Sequence, residues 1–173
     1  LTIEYDGSPF HGWQVQNNIT TVQGVVFDAI KKLDMNCENF VGAGRTDAGV
    51  HAIGQVAHVD LATKRDCETV QKAINYYLNK YPVSILNARL VNNQFHARFS
   101  AMKRHYMYKI FSRKTDLTFE KNQYWHVRHS LNKLKMQLAA NYLTGRHDFS
   151  AFRSSICQAS SPIKTIDTIS IQS

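Results

Sequence analysis

The chain has 173 residues, of which 43% are hydrophobic, so it is long enough to bury a core and too apolar for intrinsic disorder. Lysine and arginine outnumber aspartate and glutamate by 21 to 13, which gives a net charge of +8 and an isoelectric point near 9.5. This charge indicates a polyanionic partner, and nucleic acid fits best. A generic basic surface is the alternative that charge alone leaves open.

The cysteines and the hydropathy pattern bear on where the protein works. Cys37, Cys67 and Cys157 are odd in number and far apart, so they indicate neither a disulfide framework nor a zinc site. No apolar run approaches the roughly 18 residues that a membrane span needs. We therefore predict a cytoplasmic protein that contacts no membrane. The chain opens on Leu1 inside a strand-like pattern without an initiator methionine, so we expect a fragment.

The first hundred residues alternate between strand and helix patterns. Leu1, Ile3 and Tyr5 have the period of a half-buried strand, and Thr20 with Gln23 forms a capping box before a helix over residues 21–33. Periodicity then predicts strands near residues 39–43, 55–61 and 84–91, and a helix containing Val70, Ala73, Ile74, Tyr77 and Leu78. The order β-α-β-β-α-β is that of the split βαβ, or ferredoxin-like, unit, which leaves one sheet face free of helices.

The pattern restarts after His105. It predicts a strand with Tyr106, Tyr108 and Ile110, a helix that opens at Ser130 and contains Leu131, Leu134 and Leu138, and a strand with Ile169 and Ile171. We therefore predict an α+β fold of two split βαβ (ferredoxin- or RRM-like) halves with antiparallel sheets packed on helices, the second half incomplete. The predicted domains are residues 1–100, which carry the loop described next, and residues 101–173.

A glycine-rich run joins two of the predicted strands: Gly42-Ala43-Gly44-Arg45-Thr46-Asp47-Ala48-Gly49-Val50-His51. Glycines permit positive φ and close approach to a ligand, so such a loop can hold Asp47 in a fixed pose facing a cleft. The alternative is that Asp47 caps the turn and pairs with Arg45, and composition leaves both interpretations open. The run lacks the third glycine of the dinucleotide fingerprint, and Gly-Lys-Ser/Thr does not occur, so we predict no nucleotide cofactor.

Residues 95–109 form a second cluster, in which four of the fifteen side chains are aromatic and four are lysine or arginine. Cations can neutralise phosphates while aromatic rings stack on unpaired bases, as in single-stranded RNA recognition. Arg98, Lys103 and Arg104 are therefore candidate RNA contacts. The alternative is an edge strand with its aromatic residues in the core, which we favour for Tyr108 and leave open for Tyr106.

Other candidate groups carry weaker signals. The eight histidines include no pair at the helical i, i+4 spacing with a nearby glutamate, so we predict no metal site. No Gly-x-Ser-x-Gly elbow occurs, which argues against hydrolase chemistry. Tyr5, Phe10 and Trp13 surround the first turn, either as a stacking surface or as its hydrophobic border, and we favour the border for Trp13.

Taken in order, these motifs resemble the TruA-type transfer RNA pseudouridine synthases. The resemblance covers almost the whole chain and is carried by Glu4-Tyr5-Asp6-Gly7, His11-Gly12-Trp13-Gln14, the run from Gly44 to His51, Gly54-Gln55, the run from Phe95 to Ser100, and Arg104-His105-Tyr106. It implies a homodimer that isomerises uridine to pseudouridine at positions 38, 39 and 40 of the anticodon stem and loop of tRNA, without a cofactor.

The resemblance also implies roles for three residues. Asp47 corresponds to the catalytic aspartate, Arg45 to the arginine that helps hold the extruded nucleotide, and Tyr106 to the tyrosine that packs on the target base. It further implies that the family chain continues beyond Ser173 into strands and a helix that bear more active-site residues.

Two other functions are weighed against this one. A non-catalytic RNA-binding module is the main alternative, but a carboxylate aimed at phosphates weakens binding unless it serves a reaction. A small-molecule enzyme is disfavoured by the charge and by the absence of cofactor motifs.

Overall fold

The structure is a computed structural model that describes residues 1–153 and 161–173. The chain divides into two units, Leu1–Tyr108 and Lys109–Ser173. Across the described ranges the fold is mixed α+β, with three α-helices and mostly antiparallel strand pairs, which confirms the predicted class. The predicted domain boundary after residue 100 stays a prediction.

The first unit contains a four-stranded sheet and two helices. Its elements are β1 (Thr2–Tyr5), α1 (Val22–Leu33), β2 (Glu38–Gly42), β3 (Ala52–Asp60), α2 (Cys67–Leu78) and β4 (Val83–Asn87). The strands lie in the order β2-β3-β1-β4, and every neighbouring pair is antiparallel. This arrangement places the β2–β3 connection, where the glycine-rich run lies, at one end of the sheet.

Helix α1 forms with its apolar residues on one face, which packs against the core. Its residues at positions 22, 25, 26, 29 and 30 are all buried, as helical periodicity requires. The predicted cap at Thr20 is wrong by one residue, because Thr21 Oγ1 accepts the hydrogen bond from the Gly24 amide at 3.3 Å. Gln23 takes no part in a capping box, since its side chain donates to the carbonyl of Phe40 at 3.1 Å.

The last strand of the sheet is shorter than predicted. β4 ends at Asn87, which pairs with Thr2, the first residue of β1, so no partner strand exists for the residues that follow. Leu90 and Val91, which the prediction placed in this strand, are exposed. The core between the sheet and the helices is formed by Ile3, Tyr5, Val22, Val26, Ile30, Ile74, Leu78, Val83 and Ile85, among others.

The second unit is built from short elements. They are β5 (Ile110–Ser112), β6 (Trp125–Val127), α3 (Lys133–Asn141), β7 (Gly145–Asp148), β8 (Ile163–Ile166) and a 3₁₀ turn over Ser150–Phe152. β7 and β8 are antiparallel, but β5 and β6 pair in parallel, which corrects the prediction of antiparallel pairing throughout.

Three further expectations for the second half are wrong. Tyr106 and Tyr108 precede β5 and lie in no strand. The helix begins at Lys133 instead of Ser130, because the Asn132 side chain caps it by accepting from the Lys135 amide at 3.0 Å. Residues 167–173 form no strand, since the Gln137 side chain bonds the carbonyl of Ile169 and the amide of Ile171 in place of a neighbouring strand.

Cys37 and Cys67 carry free thiols, and Cys157 lies outside the described residues. Within residues 1–153 and 161–173, no helix combines the length and the apolar character that crossing a membrane requires.

Candidate active site

Asp47 lies in the connection between β2 and β3, residues 43–51, called here the Asp47 loop. The amide of Trp13 donates to the carbonyl of Thr46 at 2.9 Å, and the amide of Gly49 donates to the carbonyl of Phe10 at 3.3 Å. The backbone is thus held on both sides of Asp47 by one segment of the β1–α1 connection. Asp47 itself is exposed, and its carboxylate has no hydrogen bond or ion pair with any residue in the described ranges.

Side chains of the sheet also form hydrogen bonds with the Asp47 loop. The hydroxyls of Tyr5 and Thr46 are hydrogen-bonded at 2.8 Å, and Gln55 Nε2 donates to the carbonyl of Gly44 at 2.7 Å. Burial raises the pKa of Tyr5, against the opposing effect of its hydrogen bonds with Thr46 and Gln55. The phenol therefore stays neutral and keeps its proton for a hydrogen bond beside Asp47.

Two glycines of the β1–α1 connection are required by the closeness of the loop. A Cβ on Gly7 would lie 2.1 Å from the carbonyl oxygen of Val50, and one on Gly12 would lie 2.6 Å from that of Thr46. Gly12 also has a φ of +85°, which L side chains rarely adopt. The two backbones are therefore in contact, and only glycine permits that contact.

The aromatic residues at the end of β1 and in this connection lie inside the protein. Tyr5, Phe10 and Trp13 are each at most 3% exposed, so none of them forms a surface for stacking bases. The ring of Trp13 packs against Gly42, where a Cβ would come within 2.7 Å of it. The prediction that Trp13 belongs to the hydrophobic border of the first turn is confirmed.

A carboxylate and an imidazole meet where the Asp47 loop joins β3. His51 Nδ1 lies 3.1 Å from Asp6 Oδ1 and 3.2 Å from the amide nitrogen of Gly7. The atom accepts from Gly7 when unprotonated and donates to Asp6 when protonated. The hydroxyl and the amide of Ser8 also donate to Asp6, and these bonds, with a smaller effect of His51, hold the pKa of Asp6 below its usual range.

Arg45 lies two residues before Asp47 and is exposed, and the Gln14 side chain orients its guanidinium. Arg45 Nε donates to Gln14 Oε1 at 2.8 Å. Among the residues that the structure describes, no ion pair joins Arg45 to Asp47. The alternative in which Asp47 caps the turn and pairs with Arg45 thus lacks its ion pair among the described residues, and the roles of both residues stay predictions.

Residues 95–100 pack on the face of the sheet opposite to the helices. Ala57 faces the core, so the next residue of β3, His58, points to the other face, where its Nδ1 accepts from the Ala97 amide at 3.1 Å. The rings of His58 and His96 are 4.7 Å apart, and that of His96 stacks on Phe99 at 4.3 Å. The sheet face that was expected to be free is thus partly covered.

The remaining predicted contacts lie in this segment or follow it. The guanidinium of Arg98 lies 5.7 Å from the ring of Phe99, and Lys103 is exposed. Arg104 Nη2 donates to the carbonyl of Ala43 at 2.7 Å, which brings residues 101–106 to the start of the Asp47 loop. Tyr106 is 75% exposed. No three histidine, cysteine, aspartate or glutamate side chains in the described part of the chain are grouped to hold a metal ion.

A family model described as tRNA pseudouridine synthase matches residues 1–100 and 139–173, a range that includes both the Asp47 loop and residues 95–100. The chain belongs to the tRNA pseudouridine synthase family. This is a family of isomerases.

Curated bacterial relatives agree with the family match. Proteins named tRNA pseudouridine synthase A are 52% identical to the chain in Parvibaculum lavamentivorans, 48% in Maricaulis maris and 48% in Ehrlichia canis. Each alignment covers 99% of this chain and 69 to 70% of the relative. The chain therefore spans about 70% of the length of these three relatives.

Several residues that support the Asp47 loop were not predicted as such from the sequence. Tyr5, Gln14, Thr46 and Gln55 all make hydrogen bonds that hold the Asp47 loop; Tyr5 was considered only for stacking or as a border residue, and the other three were named only as members of motifs. Their partners lie 11 to 41 positions away, so no local pattern reveals them. One signal was available, since a tyrosine in a predicted core position needs a hydrogen-bond partner for its hydroxyl.

Proposed function

We propose that this chain isomerises uridine to pseudouridine in tRNA, with Asp47 as the catalytic carboxylate. The observation that carries the proposal is the state of that side chain: an exposed carboxylate, without a partner in the described ranges, on a backbone held on both sides by Phe10 and Trp13. A surface carboxylate in an RNA-binding protein repels phosphate, so fixing one in place is useful mainly for a reaction. The names of the relatives support the same reaction.

The reaction needs few chemical groups. The bond from uracil N1 to the ribose C1′ breaks, the uracil turns, and a bond forms from its C5 to C1′, while the proton on C5 leaves and N1 gains one. An ionised carboxylate can attack the ribose, attack the uracil ring, or abstract a proton to give a glycal-like intermediate. Each of these roles needs an accessible carboxylate, which the exposed Asp47 would supply, and none of them calls on a nucleotide or redox cofactor.

Arg45 and Tyr106 complete the proposed site. The target base must leave its stack, which costs a few kcal/mol. Arg45, whose guanidinium is oriented by Gln14, would fill the space that the base leaves. Tyr106 is largely exposed, so its ring is accessible to pack on the extruded base. Arg98 and Lys103 would contact phosphates of the bound RNA.

The finer features of the proposal follow the family resemblance. We propose that the modified uridines lie in the anticodon stem and loop, that two copies of the protein form a homodimer, and that each half is a split βαβ unit, the second incomplete. The β2-β3-β1-β4 order of antiparallel strands supports the split unit for the first half. Sedimentation tests the dimer, and mapping of pseudouridine in treated tRNA tests the positions.

Tritium release from tRNA that carries 5-tritiated uridine tests the role of Asp47. We expect Asp47→Asn to abolish release while leaving tRNA affinity nearly unchanged, because the amide keeps the shape and loses the ionised oxygen. Asp28→Asn is the matched control, since it removes an equal charge from an exposed position on α1. Turnover near wild type in Asp47→Asn would exclude the carboxylate. Binding without any release by the wild-type chain would favour the RNA-binding module.

A further inference from the structure

The segment that carries Tyr106 has no secondary structure of its own. Residues 101–109 lie in neither a helix nor a strand, and Met102, Tyr106, Met107 and Tyr108 are all at least 75% exposed. A chain of this kind moves on the nanosecond scale unless specific contacts hold it. The Tyr106 ring can pack on a base only if it is held in one position, so its proposed role requires contacts that restrict the motion of this segment.

Arg104 provides such a contact with the Asp47 loop. Its Nη2 donates to the carbonyl of Ala43 at 2.7 Å, and its side chain lies over Gly44, where a Cβ would come 3.4 Å from Arg104 Nε. The next carbonyl, that of Gly44, accepts from Gln55 at 2.7 Å. The start of the loop is thus held by an arginine on one side and by β3 on the other.

The position of this bond along the chain links the two proposed site residues. Tyr106 is two residues from Arg104, so their Cα atoms are within about 7 Å of each other. Asp47 is four residues from Ala43, so those Cα atoms are within about 14 Å. One hydrogen bond therefore restricts how far the ring of Tyr106 can move from the carboxylate of Asp47.

We infer that Arg104 is a positioning residue, which fixes the Tyr106 segment against the Asp47 loop and does so independently of its charge. The inference rests on the proposed function for its meaning in catalysis. A guanidinium has five N–H donors in a rigid plane, so it can bond a carbonyl with one and still offer others to an RNA phosphate. A lysine ammonium keeps the charge but lacks that planar fork and the same reach.

Backbone ¹⁵N relaxation on the whole chain tests the inference without requiring activity. We expect Arg104→Ala and Arg104→Lys both to lower the order parameter of the Tyr106 amide, from about 0.85 towards 0.6 or below. Arg98→Ala, which removes an exposed cation from the neighbouring segment, should leave that value unchanged. Thermal denaturation confirms that each variant is folded. An unchanged Tyr106 order parameter in both Arg104 variants, or an equal fall in Arg98→Ala, would overturn the inference.

Kinetics on tRNA separate positioning from phosphate binding. Arg104→Lys should lower kcat by about 10- to 100-fold with KM within about twofold, because the ring is misplaced while the charge remains. A lysine variant with wild-type kcat, beside equal rises of KM in Arg104→Ala and Arg98→Ala, would mean that Arg104 only contacts phosphate. If wild-type chain makes no pseudouridine, the proposed function fails, and the order parameters still decide whether Arg104 holds the segment.

Discussion

Single side chains determine how residues 95–100 stay on the sheet, and one of them, His58, is a titratable group whose pKa is shifted. Its Nδ1 must be unprotonated to accept from the Ala97 amide. Burial lowers the pKa of His58, and the nearby His96 ring and the amino terminus lower it further, while Asp60 acts in the opposite direction. A folded-state pKa below the ordinary value means that the attached segment prefers the neutral imidazole.

The direction of the pH dependence follows from linkage. Detachment of residues 95–100 exposes His58 and removes the His96 ring from its side, so the pKa of His58 rises towards its ordinary value of about 6.5, and the detached form binds a proton at a higher pH than the attached form does. The stability of attachment is therefore fully present above pH 6.5 and is lost as the pH falls through the lower, attached-state pKa. Acidification should release residues 95–100 from β3.

NMR titration measures this release. We expect the ¹⁵N shift of the Ala97 amide to titrate with a midpoint below about 6.5, because protonation of His58 removes its acceptor. His58→Phe should abolish that step while keeping an aromatic ring beside His96. A midpoint above 6.5, or the same step in His58→Phe, would contradict the assignment to His58.

At the scale of elements, the site depends on contact between two connections. The β1–α1 connection and the Asp47 loop touch through backbone atoms at Gly7 and Gly12. The first amides of helix α1 bond the same connection, since the amides of Val22 and Gln23 donate to the carbonyls of Gly12 and Trp13. The same residues therefore hold the loop and satisfy the first amides of a helix.

A methyl group at Gly7 tests this contact. Gly7→Ala places a Cβ 2.1 Å from the carbonyl oxygen of Val50, so the loop must shift, and we expect a loss of about 1–3 kcal/mol in the free energy of unfolding. Gly54→Ala is the matched control on β3, since its Cβ meets no atom within 4 Å. Urea denaturation compares the two variants. Equal midpoints for both would show that the loop accommodates the methyl group.

Elements with a local cause were predictable, and elements with a distant cause were not. The apolar residues that form the buried faces of α1 and α2 lie within the sequence of each helix, so periodicity predicted both helices. The end of β4 depends on where β1 starts, and the parallel pairing of β5 with β6 depends on a partner 15 residues away. Likewise, the glycine-rich composition of residues 42–51 indicated the loop that carries Asp47 but not the role of Asp47, while the hydrogen bond from Arg104 to Ala43 spans 61 positions.

On the scale of the whole molecule, the second unit limits what periodicity can predict. The spacing of Leu134 and Leu138 predicted a helix but not what would cover it: both leucines are more than 60% exposed, and Ala140 is the one residue of α3 that is buried. Two-stranded ladders offer too little surface to cover a helix, so the pattern alone could not place these leucines.

The net charge of +8 predicts that tRNA binding weakens with salt, because lysine and arginine displace the counterions of the phosphates that they bind. We expect the logarithm of the tRNA association constant to fall linearly with the logarithm of salt concentration, with a slope of about −0.7 to −0.9 for each phosphate contacted. Arg98→Ala should make the slope shallower by about one such step, whereas the charge-neutral control Met35→Ala, at an exposed position, should keep it. Fluorescence anisotropy with labelled tRNA at several salt concentrations measures the slopes. A flat profile for the wild-type chain would mean that its basic residues do not bind the RNA backbone, and tRNA recognition would then have to depend on stacking and base contacts.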